Sequence, residues 1–133
     1  MFDYPDKFLT IRPYPNVNGL YISWLTASRA MSRLDFKWSV ELLLNTITLV
    51  QPNVILIDAF EYNYPVIPEE TVRLIRRALA CSNVRSYGLI KSNHRFGQIV
   101  INGFLRQITG YQQSIILFDS KMKGLRWFLG NKS

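Results

Sequence analysis

Residues 54–58 read Val-Ile-Leu-Ile-Asp, and this stretch decides the predicted fold. Four consecutive apolar residues, most of them β-branched, are typical of a central strand that is covered on both faces. A single acid ends the run. Because a strand of this kind requires helices on both sides of its sheet, the stretch predicts an α/β protein.

The sequence before this strand predicts a helix and an antiparallel pair of strands. Ser32 and Asp35 have the spacing of a capping box, and the helix must end before Pro52. Between them, apolar residues recur every three or four positions: Phe36, Val40, Leu43, Leu44, Ile47 and Val50. Farther upstream, residues 8–11 and 20–24 are β-prone and are separated by a dense cluster of Pro, Asn and Gly, which indicates two adjacent antiparallel strands.

The sequence after the central strand alternates helix and strand. Pro68, Glu69 and Glu70 suit a first helical turn, and residues 86–90 and 114–118 are short apolar strands. The inward residues of the helix after Pro68 are predicted to be Val72, Ile75, Ala78 and Leu79. A third helix is predicted after Asn93, and a fourth after Ser120 with Leu125, Phe128 and Leu129 facing inward.

The element order is therefore β-β-α-β-α-β-α-β-α. The predicted fold class is α/β with a single mixed sheet, in which an antiparallel first pair is followed by parallel strands, and with about four helices. The length of 133 residues fits one domain spanning residues 1–133.

Composition excludes several classes of protein. The apolar runs are of strand length, so no transmembrane segment is expected. Residues 1–6 carry acids and a proline instead of a secretory signal, which predicts a cytoplasmic protein, and the lone Cys81 cannot form an intrachain disulfide. The net charge of +7 is unevenly distributed: residues 1–70 hold five basic and eight acidic residues, and residues 71–133 hold eleven and one.

The chain resembles the SpoIIAA-like proteins, whose fold is shared with STAS domains. The likeness covers nearly the whole chain and is carried by the order of elements and by local features. These are Leu-Tyr-Ile-Ser-Trp at 20–24 before a capped helix, the strand at 54–58 that ends in Asp58, and Phe-Asp-Ser at 118–120 leading into Leu-Arg-Trp-Phe-Leu at 125–129.

This resemblance implies a non-catalytic module that works through protein contacts, as anti-sigma factor antagonists do. The distantly similar CRAL-TRIO proteins imply an alternative, a carrier or sensor of an amphipathic, lipid-like ligand. In the antagonists, a serine at the start of the helix after the central strand is phosphorylated. Residues 67–71 read Ile-Pro-Glu-Glu-Thr here, so a phospho-switch is not expected.

The candidate binding site lies where the parallel strands end, because ligands of open α/β sheets meet the carboxyl ends of the strands. Residues 58–65 and 91–95 should lie side by side at this edge. The candidate residues are Asp58, Phe60, Glu61, Tyr62, Tyr64, Lys91, Asn93, His94 and Arg95. They could hold an amphipathic ligand or a loop of a partner; alternatively, the aromatic residues fold back on the core and the polar ones only cap and solubilise.

No catalytic residue, metal site or cofactor is predicted. His94 is the only histidine, and although Asp58 or Glu61 could approach it, no motif requires such a proton-transfer pair. A single histidine and a distant cysteine have no metal-ligand spacing, and there is no glycine-rich nucleotide loop.

A basic patch is formed by Arg73, Arg76 and Arg77 in the second predicted helix. Arginines at this spacing usually form a solvated face, and no nucleic-acid module accompanies them, so nucleic acid is not the expected partner. The expected partner is a protein, either another chain or a second copy that forms a homodimer through opposite charges.

Overall fold

A computed structural model describes residues 4–5, 8–62, 67, 69–108 and 114–130 and confirms the α/β fold class. These residues form one mixed sheet whose spatial order follows the chain. Its strands are β1 (Tyr4–Pro5), β2 (Leu9–Tyr14), β3 (Gly19–Trp24), β4 (Val54–Asp58), β5 (Ser86–Ile90) and β6 (Ser114–Phe118). The β1/β2 and β2/β3 pairs are antiparallel, whereas β3 to β6 are parallel.

The described residues form four α-helices: α1 (Arg33–Val50), α2 (Glu69–Ala80), α3 (Arg95–Ile108) and α4 (Lys121–Leu129). The predicted capping box of α1 is confirmed, since Ser32 Oγ accepts the Asp35 N–H at 3.0 Å and Asp35 Oδ2 accepts the Ser32 N–H at 2.9 Å. Gln51 ends the helix in a left-handed conformation, just before Pro52. None of these helices is long and apolar enough to cross a bilayer.

Three helices cover one face of the sheet and one helix covers the other. The strands follow each other in sheet order, so right-handed crossovers place α1, α2 and α3 on the same side, which we call the first face. Buried residues of these helices, such as Phe36, Ile75 and Leu105, share a core with Ile55 and Leu89. On the opposite, second face, the ring of Phe128 from α4 packs against the alternate residues of the strands, Tyr21, Val54, Leu56 and Ile90.

Glycines let α4 approach the second face closely. A Cβ atom at Gly88 would lie 2.4 Å from the Trp127 ring, and one at Gly19 would lie 2.6 Å from the Phe128 ring. The prediction that Leu129 faces inward is wrong, because this side chain is 53% exposed. Phe128 already occupies the inward position, and the next helical residue is rotated by about 100° from it.

Candidate functional site

The two segments predicted to lie side by side are in contact. Residues 59–62 follow β4 and residues 91–94 follow β5, at the edge where the parallel strands end. The Asn93 N–H donates to the Phe60 carbonyl at 2.7 Å, and Ser92 Oγ donates to the Tyr62 carbonyl at 2.6 Å. The predicted adjacency is therefore confirmed for the described residues, and we call this surface the carboxyl edge.

The aromatic residues after β4 point in different directions. Phe60 is 45% exposed, whereas Tyr62 is fully buried and meets the Trp24 ring edge to face at 5.2 Å. Tyr64 lies outside the described residues. The alternative in which the aromatic residues fold back on the core therefore applies to Tyr62 but not to Phe60.

Asp58 is almost completely buried, with 7% of its side chain exposed. Its Oδ2 accepts the Tyr21 hydroxyl at 2.7 Å and its Oδ1 accepts the Phe60 N–H at 3.1 Å. Lys121, in the first turn of α4, places its Nζ 3.9 Å from Oδ2. The carboxylate thus links β3, β4, the loop after β4 and α4, and these bonds occupy both of its oxygen atoms.

The Tyr21 hydroxyl is held in its protonated form. Burial raises the pKa of this hydroxyl above its usual range, and the hydrogen bond to the Asp58 carboxylate adds to the effect. A protonated phenol can continue to donate to the carboxylate, whereas a phenolate would face a second negative charge in a poorly solvated place. The Tyr21 hydroxyl is therefore placed to remain a hydrogen-bond donor to Asp58.

Glu61 is bound to the segment that follows β3. Its Oε2 accepts Arg29 Nη2 at 2.6 Å and Thr26 Oγ1 at 3.2 Å, both from the short 3-10 helix Thr26–Ala30. This ion pair is partly exposed, so it contributes little stability but fixes the loop after β4 against its neighbour. Sequence reasoning did not anticipate Arg29 or Thr26.

His94 does not form a proton-transfer pair with Asp58 or Glu61. The backbone N–H of His94 donates to Ser92 Oγ at 3.0 Å. Within the described residues, Asp58 and Glu61 bond to residues other than His94, and His94 Nε2 has no hydrogen-bond partner. The same residues contain no group of three or more His, Cys, Asp or Glu side chains placed to hold a metal ion.

Exposed polar and charged residues follow the ends of β5 and β6. Lys91, Asn93 and Arg95 are all exposed. The Lys123 ammonium lies 3.1 Å from Asp119 and holds the pKa of that carboxyl below its usual range, with a smaller contribution from Lys91. The carboxyl edge therefore includes the exposed Phe60 ring and the exposed cations Lys91 and Arg95.

The three arginines of the basic patch have different environments. All are exposed, but Arg76 Nε donates to the Gln107 carbonyl of α3 at 2.8 Å and Arg73 lies 3.3 Å from Glu69. Arg76 therefore joins two helices, in addition to carrying surface charge.

A small apolar cavity lies between the first face and its helices. Its volume is about 50 Å³. Pockets for small organic ligands usually measure about 300–1,000 Å³, so this cavity is too small for a lipid. Its lining includes Trp24, Phe36, Tyr62, Ile67, Tyr87 and Phe104.

No protein-family model, curated protein or solved structure matches this chain.

Proposed function

We propose that this protein is a non-catalytic regulatory module of SpoIIAA/STAS type that binds a protein partner at its carboxyl edge. The supporting observation is the exposed Phe60 ring, which stands on a loop held in place by hydrogen bonds on both sides. Its N–H is bound by Asp58 and its carbonyl by the Asn93 N–H. An aromatic side chain on a fixed backbone leaves only its own rotamers to be ordered on binding, and exposed aromatic residues are enriched among interface hot spots.

The acids near this ring favour binding over chemistry. Asp58 and Glu61 are held by Tyr21, Arg29 and Thr26. A general acid or base must be able to reach a substrate, and these carboxylates are engaged in holding the loop. Lys91 and Arg95 are exposed, and their positive charges suit an acidic segment of a partner.

The alternative function, a carrier of an amphipathic ligand, requires a pocket near the carboxyl edge, and the apolar cavity is the candidate for it. Tyr62 and Ile67 from the loop after β4 contribute to its lining, so the cavity adjoins the carboxyl edge. Its volume of about 50 Å³ holds no more than a very small apolar molecule. Native mass spectrometry of purified protein that reveals a co-purifying lipid would favour the carrier over the interaction module.

The proposal is tested by replacing Phe60 and an exposed apolar residue of another surface. Tagged wild-type, Phe60→Asp and Leu74→Asp proteins are used to isolate binding proteins, which are identified and then titrated in purified form. We expect Phe60→Asp to weaken binding by at least ~30-fold, as for a hot-spot residue, and Leu74→Asp on α2 to leave it unchanged. Equal binding by all three proteins would show that the carboxyl edge is not the docking site.

A further inference from the structure

Strand β6 has an outer side whose backbone groups pair with no other strand among the described residues. The Ser114 N–H donates to the Arg85 carbonyl at 3.0 Å, and the Phe118 carbonyl accepts the Lys91 N–H at 3.0 Å, so these two residues are bonded towards β5. Successive backbone units of a strand point to opposite sides, so the N–H and C=O groups of Ile115 and Leu117 point away from β5. In the described part of the chain, no strand pairs with this side of β6.

The edge also lacks the features that normally prevent pairing. Residues 114–118 read Ser-Ile-Ile-Leu-Phe, without charge or proline, and their register with β5 is uninterrupted. Ile116 is 37% exposed and Leu117 is 48% exposed, one on each face of the sheet. Natural proteins usually protect such edges with lysines, prolines or bulges, because unprotected strands associate.

We propose that β6 pairs in antiparallel orientation with β6 of a second copy of the chain, about a two-fold axis beside Ile116. In this register Ile115 lies opposite the partner's Leu117, and Leu117 lies opposite the partner's Ile115. Each pair exchanges two hydrogen bonds, so all four outward groups of each strand are satisfied. Ile116 then faces the partner's Ile116 as a pair without hydrogen bonds.

A second copy fits this edge better than an unrelated strand. The outward residues Ile115 and Leu117 are spaced symmetrically about Ile116, so a single register satisfies them in both copies at once. A charged strand would repel its own copy, whereas β6 is neutral within a strongly basic half of the chain. Only five residues pair, so the dimer should be weak and depend on concentration. The inference uses a different surface from the carboxyl edge and does not rest on the proposed function.

Sedimentation equilibrium over a range of concentrations provides the first test. The wild type should show a monomer–dimer equilibrium, and Leu117→Lys should raise the dimer dissociation constant at least ~10-fold, because an edge lysine opposes pairing. Leu74→Lys, which introduces the same charge at an exposed leucine of α2, should leave the dissociation constant unchanged. Circular dichroism verifies that both variants are folded.

The register is tested by disulfide formation in a Cys81→Ser background, which removes the exposed native thiol. Ile116→Cys should form a disulfide dimer under mild oxidation, because opposed Cα atoms in such a pair lie about 4.5 Å apart. Ser114→Cys should not, since its copy is displaced by four residues, about 13 Å along the strand. A wild type that is monomeric at all concentrations, an association unaffected by Leu117→Lys, or equal cross-linking of the two cysteine variants would each overturn the proposal.

Discussion

The two faces of the sheet are built differently, although the same strands supply both. On the first face, three helices enclose a large core that contains Trp24, Phe36 and Tyr62. On the second face, the nine-residue α4 provides the helical cover, and Phe128 is its main buried side chain. In the described part of the chain, the same strand therefore buries one row of side chains under three helices and the other row under one.

This difference matters because the second face carries the buried carboxylate of the site, Asp58. Asp58 lies on the same side of the sheet as Tyr21, and Lys121 reaches it from the start of α4. A cover of one helix leaves space at its margin for a buried carboxylate, whereas an apolar core lies between the first face and its three helices. The three-helix core and the buried Asp58 carboxylate thus lie on opposite sides of the sheet.

A matched pair of leucine replacements should show the largest difference between the faces. Leu89 on the first face and Leu56 on the second are both fully buried, on neighbouring parallel strands. Leucine-to-alanine changes cost about 2–5 kcal/mol, and the cost is greatest where the surroundings cannot collapse into the cavity. We expect the cost of Leu89→Ala to lie near the upper end of this range, because three helices fix the surroundings of Leu89. The cost of Leu56→Ala should lie near the lower end, because α4 can shift. Chemical denaturation measures both free energies of unfolding, and equal losses would contradict the distinction.

Tyr21→Phe sharpens the comparison at the polar margin of the second face. It removes the hydrogen bond to the buried Asp58 carboxylate, and bonds to charged groups contribute about 1.5–3 kcal/mol. The pH dependence gives a second signature, since the folded pKa of Tyr21 is raised. The contribution of Tyr21 to the free energy of unfolding is fully present below the unfolded pKa of about 10 and is lost as the pH rises above that value. The reason is that the phenol ionises there in the unfolded chain but not in the folded one.

The measurement is the free energy of unfolding between neutral and alkaline pH. The alkaline loss of stability should be smaller in Tyr21→Phe than in the wild type. Tyr14→Phe, which removes a neighbouring hydroxyl that has no hydrogen bond to Asp58, serves as the control and should retain the steeper loss. Identical alkaline slopes for all three proteins would contradict the role assigned to the Tyr21–Asp58 pair.

Gly88→Ala tests whether glycine is required for α4 to reach the second face. The new Cβ would lie 2.4 Å from Trp127 Cζ3, so the indole ring or the helix must move, at a cost of about 1–3 kcal/mol. Gly103 in α3 is the matched control, because a Cβ there meets no atom within 4 Å. Gly103→Ala should stabilise the protein by about 0.5–1 kcal/mol, since glycine is a poor helix former. Thermal unfolding of the two variants should shift in opposite directions.

Sequence reasoning predicted the framework because the framework depends on local patterns. The five longer strands, the four helices and the capping box of α1 each have a signal within a few residues, such as the period of apolar positions or Ser32 with Asp35. The short strand β1 and the exposure of Leu129 were not predicted. Strand β1 depends on pairing with β2, and the exposure of Leu129 depends on Phe128 already occupying the inward position of α4.

The site was predicted less completely because its bonds connect distant residues. The meeting of residues 58–62 with residues 91–94 followed from parallel strand topology and was correct. The pairing of Asp58 with Tyr21 and of Glu61 with Arg29 joins positions 37 and 32 residues apart. The alternation of side chains brings Tyr21 beside Asp58 only for one register between β3 and β4. Nothing in the sequence shows that Ser23 is the register partner of Asp58.

The smallest effect is expected on the outside of the first-face helices, at Arg73, Arg76 and Arg77. Replacing all three by Gln should cost under ~1 kcal/mol per residue, since exposed charges contribute little. Arg76 should account for most of the loss, because it alone of the three donates to α3, at the Gln107 carbonyl. Single and triple variants compared by chemical denaturation measure this division.

The same variants decide whether the arginine face binds nucleic acid. If the arginine face does not bind nucleic acid, labelled DNA and RNA should bind weakly at physiological salt. Replacing three exposed cations elsewhere should then weaken binding as much as replacing the three arginines. Contacts to phosphate release counterions, so non-specific attraction by net charge disappears as salt increases. The matched control replaces Arg33, Lys37 and Arg85, which are also exposed. Nucleic acid would become the leading partner if binding is tight and only the replacement of Arg73, Arg76 and Arg77 abolishes it. The two triple variants have the same net charge, so they differ only in where the charges were removed.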